Sequence, residues 1–191
     1  MFSKVSEIIT QILEENNTIQ SENRKIYCYG FEQGFTILLN IVTITIIGLV
    51  LQSLPHALLF IILYFPLRSY AGGFHAKTAI RCYLYSMLII VLILLTIKFV
   101  SIRNSIYILL TFTSSVIILF LSPVQDHNKP LDQTEYKVYK YRTLVVWAIE
   151  TSVFTLSIYF HLKILICCIS WVFVIMSLVL CLGLINNRIN K

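Results

Sequence analysis

Apolar and polar positions follow two patterns along this chain. Over residues 3–15, Val5, Ile8, Ile9, Ile12 and Leu13 recur at helical spacing, while Glu7, Gln11, Glu14 and Glu15 fall largely on the other side. That pattern predicts an amphipathic helix, able to lie in a membrane interface or to dock a partner. Its polar face is more acidic than basic, so anionic lipid is not its obvious attractant. Asn16-Asn17 interrupt it, and Ser21 reads as the N-cap of a second helical stretch. Beyond this point the chain is dominated by apolar runs, over 35–54, 51–66, 83–100, 104–121, 143–160 and 164–185. Several approach the roughly 20 apolar residues that cross a hydrocarbon core as a helix. The second is shorter and is expected to close at Pro66, a poor interior helix residue. A tilted short helix and one arm of a re-entrant loop packed within the protein are both compatible with it.

Composition supports the same class. The 191 residues are 58% hydrophobic and only 13% charged, against about half and a quarter in soluble domains. The expected fold is all-α: a polytopic integral membrane protein, one membrane domain over 1–191. An N-terminal amphipathic region (1–30) precedes four to six transmembrane or re-entrant helices within 35–185. Polar connections at 67–82 and 122–142 interrupt those helices. Residues 1–25 lack the compact apolar core and small-residue cleavage site of a signal peptide.

The net charge of +6 raises nucleic acid as a partner, but its distribution argues for loops at a membrane. If all six runs cross, all 15 Lys and Arg residues except Lys98, Arg103 and Lys163 fall on one side. The positive-inside rule then makes that side, with both termini, cytoplasmic. Tyr136, Lys137, Tyr139, Lys140, Tyr141 and Arg142 interleave aromatics and cations just before a run, the composition of an interfacial anchor rather than a nucleic-acid patch. Lys129, Lys137 and Lys140 can also attract an acidic peptide.

Chemically capable residues concentrate between Arg68 and Cys82. A cysteine attacks as its thiolate, and a histidine can serve as its base, so His75 and Cys82 are the candidate catalytic pair. Gly72 and Gly73 can give a tight turn and closely approaching N–H groups for an oxyanion. Arg68, Lys77 and Arg81 can hold a substrate carboxylate. In one straight helix, His75 and Cys82 would lie about 10 Å apart along the axis, beyond hydrogen-bond reach. Residues 68–76 are therefore expected to form a non-helical loop folded back on a helix whose first turns contain Cys82. On spacing alone, a loop histidine and a packing cysteine fit as well. The five cysteines form neither a metal-ligand spacing nor a disulfide framework, and no metal or cofactor is expected.

Arg68-x-x-x-Gly72-Gly73-x-His75-Ala76, followed by Cys82 at the head of an apolar helix, resembles the accessory gene regulator B (AgrB) family. These are membrane cysteine endopeptidases of Gram-positive bacteria that process a quorum-sensing propeptide. Ser122-Pro123-Val124 with Asn128-Lys129-Pro130-Leu131 resembles the family's loop after its fourth hydrophobic segment. The N-terminal amphipathic stretch fits too. The resemblance implies that His75 and Cys82 are catalytic and that Arg68 and Gly73 support them. Lys129 would belong to a substrate-contacting loop that is more basic in other members. It further implies an AgrD-like propeptide as substrate, a bacterial cell membrane location and a capacity to form homodimers. Cleavage would pass through a thioester on Cys82, which an internal Cys or Ser of the substrate resolves into a thiolactone or lactone.

Three residues compete for the role of orienting His75: Asp126, His127 and Glu150, the last inside a predicted span where a carboxyl is costly. Cys28 is a second accessible thiol, without a histidine or glycine pair beside it in sequence. Glu150, the short loops and the six runs also fit a small transporter, and a scaffold with a merely structural motif is a third reading.

Overall fold

The computed structural model describes residues 2–16, 18–74, 78–125 and 132–189. The protein is all-α, with seven α-helices and no strand among the described residues. They are α1 (Ser3–Glu15), α2 (Arg24–Val50), α3 (Leu54–Ala71), α4 (Ala79–Phe99), α5 (Asn104–Leu121), α6 (Gln133–Tyr159) and α7 (Lys163–Ile189). Of these, α2, α3, α4, α5 and α7 are long and apolar enough to cross a membrane. Leu109, Phe112, Phe120 and Leu182 point outward and exposed, an arrangement costly in water and natural in lipid.

The bundle is organised around α7, whose Ile166, Ile169, Val172, Phe173, Met176 and Leu180 are fully enclosed. Its main neighbours are α5, α3 and α6. Between apolar helices in lipid, packing and hydrogen bonds replace the hydrophobic driving force. Thr111 meets Ser170 at 2.8 Å, Tyr107 meets Cys167 at 3.3 Å, and Trp147 donates to the Ser115 hydroxyl at 2.7 Å.

Three expectations change. The helix that was to close at Pro66 runs on to Ala71, so Arg68 and Tyr70 are helical and the loop starts only at Gly72. Proline removes the amide that would bond the Ile62 carbonyl, a defect that helices tolerate when neighbours pack around it. α3 also runs from one rim of the bundle to the other instead of turning back: its start follows Leu51, whose carbonyl accepts from Lys98, and its end meets Val124. The second change is that α6 begins at Gln133, well ahead of the apolar run at 143–160, so much of the stretch 122–142 is helix. A capping box starts it: the Glu135 N–H donates to Asp132 at 2.6 Å, and the Asp132 N–H donates to Glu135 at 3.3 Å. α6 is not among the five crossing candidates, since Glu150, Thr151, Ser152, Thr155 and Ser157 dilute its apolar run. Thirdly, Ser21 is no cap; Ser21–Asn23 is a short 3₁₀ turn ahead of α2.

α1 forms where periodicity places it and lies antiparallel along the first part of α2. Phe2 and Phe35 rings meet at 5.7 Å, and Glu14 pairs with Arg24 at 3.2 Å. Ser6 and Thr10 are its buried residues, while Val5, Ile8 and Ile12 face outward.

Candidate active site

Five helix ends converge on one rim: the C-termini of α3, α5 and α7 and the N-termini of α4 and α6. Gly72 and Gly73, with φ of 70° and 111°, turn the chain out of α3 in a conformation that disfavours a side chain. A Cβ on Gly72 would overlap the Val124 carbonyl oxygen. The turn is tied on both sides. The Gly73 N–H donates to Val124 O at 3.1 Å, the Val124 N–H to Ala71 O at 3.0 Å, and the Phe74 N–H to Val179 O of α7 at 3.0 Å. Arg68 closes the turn from inside, its guanidinium donating to the carbonyls of Gly72 and, at 2.6 Å, Phe74.

This alters what two predicted groups can do. The N–H groups of Gly72 and Gly73 are engaged by the Arg68 and Val124 carbonyls, at 3.3 and 3.1 Å, and so hold the path of the chain. Arg68 likewise spends its fork on backbone carbonyls one and two turns of chain away, which makes it a clamp on the segment leading to His75.

Beyond the clamp, Thr78 caps α4, accepting from the Arg81 N–H at 3.3 Å. Cys82 follows in the first turn, a free and half-buried thiol at a helix end where negative charge is favoured. Its neighbour Tyr83 shares a 2.8 Å hydrogen bond with Thr43, which fixes how the start of α4 is rotated against α2. Arg81 is exposed beside it. His75 and Lys77 lie outside the described residues, as do Asp126, His127 and Lys129. Glu150 is buried in α6, and its Oε2 has no hydrogen-bond partner among the described residues. Cys28 sits half-buried near the start of α2.

The flanking walls come from α5 and α6. Lys140 donates to the carbonyls of Leu119 and Ser122 at 2.5 and 2.6 Å, capping the open end of α5. Tyr70 of α3 is held by α6, with the Tyr139 ring edge-on at 6.2 Å and the Arg142 guanidinium 5.4 Å from its centroid. Asn187 of α7 donates to Gln125 O at 2.7 Å. Beside it, a recess of about 240 Å³ is lined by Gln125, Asp132, Gln133, Tyr136 and Lys137.

Sequence reasoning missed Tyr64. One helical turn before Arg68, its hydroxyl lies close to the Arg68 guanidinium, on the rim that also carries Cys82. The i, i+4 spacing to Arg68 was the available signal, hidden inside an apolar run.

The chain matches the family model described as Accessory gene regulator B over residues 6–180. It is 28% identical over 144 residues to "Putative AgrB-like protein 2" of Clostridium perfringens (strain 13 / Type A), covering 72% of this chain and 67% of that protein. A "Putative AgrB-like protein" of C. perfringens (strain SM101 / Type A) is 27% identical over 144 residues, with the same coverage of 72% and 67%. No solved structure matches.

Proposed function

The chain belongs to the accessory gene regulator B family, and from that premise we propose that it is a membrane-embedded cysteine endopeptidase acting on an AgrD-like propeptide. The observation that carries the reading is the placement of Cys82: a free thiol in the first turn of α4, on the rim where Arg68 clamps the segment that leads into His75. His75 takes the proton from Cys82, and the thiolate attacks the carbonyl that joins the signal core to the C-terminal tail. As the carbon–nitrogen bond breaks, His75 gives its proton to the departing amine, leaving the core as a thioester on Cys82. An internal thiol or hydroxyl of the substrate then displaces Cys82 and closes the ring. A site with little water favours that intramolecular attack over hydrolysis.

Arg68, Gly72 and Gly73 act as the frame of the site. Arg81, Lys77, Lys129 and the Lys137 recess are the contacts offered to an acidic tail. In this reading the site and both termini face the cytoplasm, and enzyme and substrate meet at the inner leaflet.

The test is co-expression with the cognate propeptide and mass spectrometry of membranes. Cleavage and a covalent adduct on Cys82 are expected; both disappear in C82A, and cleavage disappears in H75A. Cleavage retained in C82A defeats the proposal and turns attention to Cys28.

A further inference from the structure

We propose that Gly183 of α7 is a positioning residue for His75: the space left by its missing side chain admits the 72–74 backbone against α7. The inference rests on the endopeptidase reading, and goes beyond it by naming what fixes the base. Gly183 is buried one helical turn after Val179, on the same face of α7. There the Phe74 N–H reaches the Val179 carbonyl at 3.0 Å. A carbonyl has two lone pairs, so it can take this donor in addition to its helical partner.

A Cβ on Gly183 would lie 2.8 Å from the Phe74 nitrogen, 2.9 Å from the Gly73 carbonyl carbon and 3.1 Å from the Gly73 Cα. These are backbone atoms, already held by Val124, Val179 and Arg68, and cannot swing aside as the tip of a side chain can. The fit is reciprocal, since a Cβ on Gly73 would come within 2.8 Å of Val179 Cγ1. Helix formation gives no reason for the residue, because alanine is the better helix former at an interior position. What glycine permits is the crossing, and His75 is bonded directly to the last residue of that crossing. A methyl group there displaces the backbone by about an ångström, enough to cost on the order of 10²-fold in a reaction that depends on alignment.

The test compares wild type, G183A and the outward-facing control L182A in nanodiscs. It combines amide hydrogen exchange over 72–74, thermal stability and steady-state propeptide cleavage. G183A is expected to exchange at least tenfold faster at Gly73 and Phe74. Its kcat should fall at least tenfold with KM unchanged, and its melting temperature should drop below wild type while leaving it folded at the assay temperature. L182A should match wild type throughout. Unchanged exchange in G183A overturns the inference, and so does faster exchange with a wild-type kcat. Should G183A fail to accumulate, the wild-type protein still decides: a Phe74 amide exchanging at the unprotected rate overturns the docking. An absence of Cys82-dependent cleavage in wild type is a different failure; it defeats the endopeptidase reading while the exchange data still judge the crossing.

Discussion

The two sides of the proposed catalytic pair are held unequally. The segment ahead of His75 is fastened by backbone bonds to α7 and to the α5–α6 connection, with Arg68 locking it from within. Cys82 rides on α4, whose main contacts among the described residues are with α2 and α3 and whose start is tied to α2 by the Thr43–Tyr83 bond. The segment leading to the proposed base is thus fastened on both sides, while the proposed nucleophile sits on a helix with fewer packing partners among the described residues.

Removing either chemical group should break the comparison outright: C82A and H75A are each expected to lower cleavage by roughly 10³-fold or more, measured on propeptide in membranes. Next come the fastenings of the fixed side. G73A places a side chain at a φ of 111° and against Val179, and should cost on the order of 10²-fold in kcat with little change in KM. R68K keeps the charge but loses the fork; at about 1.5 kcal/mol for a charge-assisted bond, cleavage should fall about tenfold. The side with fewer fastenings should respond least. Y83F removes one interhelical bond, worth about 0.6 kcal/mol on average in membrane helices, so about a threefold change is expected. An effect of Y83F larger than that of R68K would reverse the assignment of the more and less fastened sides.

Much of this architecture was legible in the residues because lipid-facing helices must be long and apolar. Asn104–Leu121 is readable end to end for that reason. The ends of α3 and α6 were not. Pro66 argues locally for a stop, yet packing within the bundle carries the helix past it to the Arg68 clamp. Asp132 and Glu135 form the capping box that starts α6, a short-range signal lying well ahead of the apolar run that marks the helix in the sequence. The motif residues of the site could be read from their types and order, whereas Gly183 and Val179 could not. Their part arises from a contact between α7 and a segment more than 100 residues earlier in the chain, and no local pattern records it.

Catalysis by this pair requires His75 to reach Cys82, and disulfide formation between those positions measures it directly. In a background with Cys28 and Cys181 replaced by serine, H75C is treated with mild oxidant in membranes. Rapid, intramolecular cross-linking of residue 75 to Cys82 is expected, since a disulfide needs Cα atoms within about 7 Å. Two thiols that both accept a maleimide yet never join would place the base away from the nucleophile and contradict the account.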